Sequence, residues 1–197
     1  MARLREFDEQ KALKAVKELF WRRGFEGTSY ADLQKATGLG KGSLYAAFGD
    51  KRALYLKALQ AYIDSEVDAA VALLQGGGAG RPRPGLRRVQ GFLDLVIEAV
   101  ARRGDRRGCF LCNAAVELAP EDAEVEAAVI AGLDRMRRAL DRALDGLTPP
   151  RRRKAAVEKV ISVYFGLRVL AKAGTPVPQL RLARDAALTA LAPAARG

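Results

Sequence analysis

An all-α fold of about nine helices in two domains is what this sequence predicts, and three observations carry the prediction. Apolar residues recur at spacings of three and four along most of the chain, strand-like alternation is scarce, and Gly- or Pro-containing breakers cut the chain into segments of helix length. The 197 residues are 49% hydrophobic, enough for a sizeable core. Residues 1–50 are expected to form a small N-terminal three-helix domain and residues 51–197 a larger helical one.

The first amphipathic helix is predicted from about Asp8 to Arg23. Ser29, with Asp32 three residues later, opens a second helix as a capping box; Leu33 and Ala36 keep helical spacing until Gly38 stops the run. After a short turn through Gly40 a third helix spans Lys41 to Phe48. Its Leu44 and Phe48 lie four apart and can pack inward, while Lys41, Ser43, Tyr45 and Ala46 occupy the other face. Two short helices around a Gly-containing turn make a helix-turn-helix, whose second helix can enter a DNA major groove. Helical hairpins with Gly turns also serve as ordinary core elements. The frame favours DNA: Asp50 caps a fourth helix whose first turn carries Lys51 and Arg52, cations that oppose the helix dipole and that a nearby phosphate would explain.

That fourth helix runs to about Gln75, near 37 Å at about 1.5 Å per residue, and so links the two domains mechanically. Residues 76–85, GGGAGRPRPG, break it and are expected to be an exposed, mobile loop. The fifth helix, about Pro84 to Arg103, carries an apolar stripe through Val89, Phe92, Leu93, Val96 and Ile97. Gly104-Asp105 interrupts it, and a sixth runs to about Leu118. A seventh spans about Glu121 to Leu144, and an eighth follows Thr148-Pro149 to about Ala173. Gly174 to Pro178 precedes the ninth, which ends near Leu191.

The eighth helix is apolar nearly all round: Val157, Val160, Ile161, Val163, Tyr164, Phe165, Leu167, Val169 and Leu170. It is therefore either central to one chain or part of an interface. Gly166 allows another backbone close, and Leu180, Leu182, Ala183, Ala186, Ala187, Leu188 and Leu191 of the last helix fit a four-helix dimer contact. In a dimer, glutamate at Val163 or Leu167 is expected to separate the subunits.

Composition narrows the function. The formal charge of +11 favours polyanions, although residues 1–55, with eleven Lys or Arg against seven acids, hold only part of it. With no histidine, the chain lacks a Ser-His-Asp triad and the commonest metal ligand; no enzyme, cofactor or metal is expected. No apolar run approaches the roughly 20 residues of a membrane span, and no signal segment is evident, so a cytoplasmic location without membrane contact is expected. Cys109 and Cys112 are three apart, on one helix face near four arginines that favour thiolate. Packing as small apolar residues is the expectation for both, and a thiol or redox response is the alternative.

The chain resembles the TetR family of one-component transcriptional regulators. The resemblance lies in Gly24-Phe25-Glu26-Gly27-Thr28-Ser29, in Ala36 to Tyr45 (ATGLGKGSLY), and in Phe48-Gly49-Asp50-Lys51 with Ala53-Leu54. It implies that Lys41, Gly42, Ser43 and Ala46 face bases, and that Thr28, Ser29, Tyr45 and Lys51 hold phosphates. Gly40 departs from the family's usual Ser or Thr cap, and Ala46-Ala47 from a pair that often includes an aromatic or histidine, so base-specific hydrogen bonds are expected to be sparse. Residues 106–120 are similar to a C-terminal signature in one branch of the family, with Cys112 where an aliphatic residue is usual. The resemblance further implies a homodimer through the last two helices, a double-stranded palindromic operator, and release of a repressor by a small-molecule effector. Candidate pocket walls are Leu59, Tyr62, Ile63, Phe92, Val96, Cys109, Phe110, Asn113, Glu117, Val129 and Phe165. An all-α protein-interaction adaptor, which would show no salt-dependent DNA affinity, is the alternative class.

Overall fold

The computed structural model describes residues 8–76 and 85–191, all-helical apart from turns and connections. The helices are α1 (Glu9–Arg23), α2 (Tyr30–Thr37), α3 (Lys41–Phe48), α4 (Lys51–Tyr62), a π-helical segment (Ile63–Val67), α5 (Asp68–Leu74), α6 (Gly85–Arg103), α7 (Phe110–Glu117), α8 (Ala123–Ala143), α9 (Pro150–Ala173) and α10 (Val177–Thr189). Most of the loop expected at 76–85 lies outside the described residues.

The starts follow cap chemistry. Asp8 accepts from the Lys11 N–H at 3.0 Å, Asp50 from the Ala53 N–H at 2.7 Å, and Ser29 and Asp32 close the reciprocal capping box. The predicted fourth helix is interrupted without being broken: residues on both sides of the π-helical segment keep right-handed helical backbone, so α4, the segment and α5 form one rod. The wider turn keeps Ile63, Val67, Ala70 and Leu74 buried along the second half of that rod. The predicted sixth helix starts later than expected because residues 104–109 are not helical; Gly104 and Gly108 both hold positive φ there.

One core runs through the molecule. Phe20 of α1 meets Tyr55 of α4 edge-on at 5.1 Å, Tyr55 meets Phe110 of α7 at 5.3 Å, and Phe110 meets Tyr62 at 5.6 Å. Trp21 meets Tyr62 at 4.8 Å, so the helix-turn-helix head and the larger helical body share an aromatic seam. On the far side, Phe92 of α6 stacks on Tyr164 of α9 at 4.3 Å, and Arg184 of α10 pairs with Asp94 of α6.

Arg52 does not await a phosphate. Its guanidinium forks onto Asp122, the cap of α8, at 2.6 and 2.7 Å and reaches Glu124 at 3.3 Å, so its charge serves to tie the start of α4 to the start of α8. Two carboxyls are held at about 2: Asp32 by the Ser29 hydroxyl and N–H with help from Arg23, and Asp122 by Arg52 and the α8 N–H groups. Because both values are depressed by folding, their stabilisation is present above about pH 4 and is lost as pH falls through about 2. Thermal unfolding followed by circular dichroism should show the melting temperature falling across that window, with a shallower fall in Asp122→Asn.

Candidate nucleic-acid interface

The outward face of α3 is built by what the inward face buries. Leu44 and Phe48 are buried, which fixes the helix's rotation and leaves Lys41, Gly42, Ser43, Tyr45 and Ala46 exposed together. Tyr45 packs against Tyr30 of α2 at 5.4 Å, and the Lys41 ammonium lies over both rings at 5.3 and 5.7 Å. Gly40, the cap, offers no side-chain bond, so the first N–H groups of α3 take none from it.

The expected phosphate contacts divide. Ser29 is exposed at the start of α2, its hydroxyl 2.6 Å from the Asp32 carboxylate. Lys51 is part-buried: its N–H donates to the Tyr30 hydroxyl at 3.2 Å, and its ammonium sits 4.2 Å from the centre of the Phe25 ring. Thr28 requires a correction. It is 0% exposed and its hydroxyl donates to the Gly24 carbonyl at 2.7 Å, so it shapes the α1–α2 turn from inside and presents nothing to a phosphate.

Beyond the packing of α1 on α4, the head is held to the body by α7 and the loop before it. The Glu117 carboxylate accepts from the N–H groups of Phe25 and Glu26, both at 3.0 Å, and lies so close to Gly24 that a Cβ there would meet its oxygens at 2.7 Å. Trp21 donates its indole N–H to the Gly108 carbonyl at 3.2 Å, and Asn113 donates to the Trp21 carbonyl at 3.4 Å. Arg107 covers the Trp21 ring at 3.7 Å and pairs with Glu18. Sequence reasoning missed this latch because each partner lies roughly ninety residues away along the chain. Glu117→Ala is expected to cost about 2 kcal/mol in denaturant unfolding, since charge-assisted bonds to two N–H groups are lost, with Glu117→Gln recovering part of it.

The candidate pocket residues fall into a packed interior. Leu59, Tyr62, Ile63, Phe92, Val96, Cys109, Phe110 and Val129 are buried, and Phe165 is part-buried against Tyr164 at 5.4 Å. Tyr62, Cys109 and Phe110 meet directly, and Phe92 and Phe165 each pack against Tyr164 of α9. Asn113 and Glu117 face the head instead of this interior. The Tyr62 hydroxyl donates to Cys109 Sγ at 3.4 Å, and Cys112 is part-buried, its thiol pushed up by burial and by Cys109 while Lys172 opposes the shift.

The two last helices separate core from surface in a way the all-round apolar pattern hid. Val160, Ile161, Tyr164 and Leu167 point inward, Leu167 with 2% exposure, so a glutamate there would disrupt the protomer's own core. Exposed instead are Ser162, Gly166, Val169 (54%), Leu170 (43%) and Ala173 on α9, and Leu182 (69%), Ala183 and Ala186 on α10. Among the described residues, no helix is long and apolar enough to cross a membrane.

Residues 12–58 match the family model described as bacterial regulatory proteins, tetR family, and residues 85–146 match a tetracyclin repressor-like C-terminal domain. The uncharacterized HTH-type transcriptional regulator YezE of Bacillus subtilis is 31% identical over 64% of this chain, which spans 62% of that relative, under two thirds of its length. A solved structure of the TetR family transcriptional regulator CifR, cysteine-substituted and complexed with 26-base-pair double-strand operator DNA, is 29% identical with a TM-score of 0.81, covering 95% of this chain and 99% of that one. A TetR transcriptional regulator from Rhodococcus sp. RHA1 is 31% identical, with a TM-score of 0.56, over 94% of this chain and 100% of that one.

Proposed function

The chain belongs to the TetR family of bacterial regulatory proteins, and from that premise we propose that it is a DNA-binding transcriptional regulator, a repressor that grips a palindromic operator as a homodimer. The observation that carries the proposal is α3: two buried anchors, Leu44 and Phe48, set an exposed face of Lys41, Gly42, Ser43, Tyr45 and Ala46 beside Ser29. A helix of this length reads few base pairs, so selectivity comes from pairing two heads. The exposed apolar and small residues of α9 and α10 are the dimer contact. CifR, captured on operator DNA, supports the same mode of action.

A small-molecule effector releases the repressor by a population shift. Its site lies in the interior around Leu59, Tyr62, Ile63, Phe92, Val96, Phe110, Val129 and Phe165, and it favours a state in which that packing opens. Movement there reaches the head, residues 1–50, along two routes: the α4 rod, and α7 with its Glu117 and Asn113 contacts. Cys109 and Cys112 serve as packing residues beside this site, which agrees with the burial of the first and the raised thiol of the second. The protein acts in the cytoplasm and carries out no catalysis.

The test is a salt titration with substitutions. Affinity should fall steeply with salt as phosphate contacts release counterions. Lys51→Ala should weaken all duplexes about equally, whereas Lys41→Ala and Ser43→Ala should change the preference among them, by about 1–3 kcal/mol at the positions read. Salt-independent binding, or a uniform loss from all three variants, contradicts the assignment of α3.

A further inference from the structure

A basic cleft of about 610 Å³ opens where α1, the end of α6, the 104–109 loop and the end of α9 meet, and neither the α3 surface nor the buried interior accounts for it. Its cations are Arg22, Arg103, Arg106, Arg107 and Lys172, and its carboxylates are Glu18 and Asp105. Both carboxylates are taken by one residue: Arg107 binds Asp105 through Nη2 at 2.7 Å and Nε at 2.9 Å, and reaches Glu18 as well. Among the described residues no carboxylate lies within 4 Å of Arg22, Arg103, Arg106 or Lys172. Lys172 donates to the side-chain amide oxygen of Asn113 (Oδ1) at 3.0 Å, and Arg106 lies over Gly174, where α9 ends.

Cations gathered at helix C-termini have an ordinary use, which is to offset the dipoles, and magnitudes decide whether that use suffices here. α1, α6 and α9 all end beside the cleft, each end equivalent to about half a negative charge. Five cations and two carboxylates leave a surplus of three positive charges, so the dipoles offset about half of it. The walls add no apolar side chain, and the guanidinium of Arg107 covers the indole of Trp21. The unpaired cations of the lining therefore favour an occupant carrying several negative charges.

We propose that this cleft binds a compact polyanion, a di- or triphosphate or polycarboxylate metabolite, through oxyanions taken by the Arg103 and Arg106 guanidiniums with Arg22 and Lys172 closing around it. Guanidinium forks match both phosphate and carboxylate oxygens. Arg22 belongs to the head and the other three to the body, so a bound polyanion ties the two together at a point separate from the interior effector site. That consequence rests on the DNA-binding reading above; the binding itself does not.

The experiment is isothermal titration calorimetry of the full chain with inorganic pyrophosphate, and separately with citrate, at ionic strength held constant with sodium chloride. Saturable binding at one site per protomer is expected for at least one probe, and the stronger of the two identifies phosphate or carboxylate as the preferred oxyanion. In Arg103→Gln, Arg106→Gln, two exposed substitutions that should leave the circular dichroism of the free protein unchanged and lower its melting temperature by only a few degrees, about the worth of the lost dipole contacts, affinity should fall about tenfold or more. Absence of saturable heat with both probes overturns the proposal, as does equal affinity in the variant. Loss of DNA affinity in the variant without any pyrophosphate or citrate binding also overturns it, by making these arginines DNA contacts. Failure of DNA binding in the wild type, by contrast, leaves the calorimetric result standing.

Discussion

Leu170→Glu, Leu182→Glu should convert the dimer to a monomer and lower affinity for a palindromic duplex by a factor of about 10² to 10⁴, the advantage that two linked heads hold over one. Both side chains are exposed in the protomer, Leu170 at 43% and Leu182 at 69%, so the variant keeps its own core. A glutamate at either position in a dimer contact is a buried, unpaired charge. Light scattering should report the monomer mass while circular dichroism stays helical, and each isolated head should retain weak, salt-sensitive DNA binding. Leu167→Glu makes the control: that side chain points into the protomer, so its loss should appear as unfolding. A double variant that remains dimeric places the interface on another surface.

Phe110→Ala should be the most damaging single truncation, at about 3–5 kcal/mol in denaturant unfolding. Phe110 is 0% exposed and bridges Tyr55 and Tyr62 edge-on, at the point where the seam from the head reaches α7. A cavity there removes packing from both sides of the head–body junction. With about 2–4 °C lost per kcal/mol in a chain of this size, the melting temperature should drop by about 10 °C. DNA affinity should fall along with stability, because α1 and α7 lose their shared support. A cost below about 1 kcal/mol would mean that the head does not depend on this seam.

What the sequence made legible was local. The Ser29–Asp32 capping box, the Gly38 stop and the Leu44–Phe48 pair each depend on residues within four positions, and the structure reproduces all three. Readings that depended on a distant partner came out differently. Arg52 looked like a phosphate ligand because Asp122, seventy residues on, cannot be seen beside it in the sequence. Thr28 sits in a motif of surface residues, yet its burial is decided by the fold of the α1–α2 turn. Leu167 and Leu170 are the same residue type three positions apart on a helix apolar all round, and only the packing of α6, α8 and α10 against it decides which turns inward. For the effector candidates the difficulty is different in kind: a core and a ligand pocket draw on the same side chains, and the interior is packed in this state.

Incubating the purified protein with random-sequence duplexes and sequencing those retained through successive rounds shows whether α3 reads DNA within a symmetric dimer. Enrichment of an inverted repeat whose two half-sites are related by a two-fold axis is expected, with the enriched positions shifting in Ser43→Ala and Lys41→Ala and keeping their identity in Lys51→Ala. Retained duplexes without a shared sequence, or an enriched site without two-fold symmetry, would contradict it.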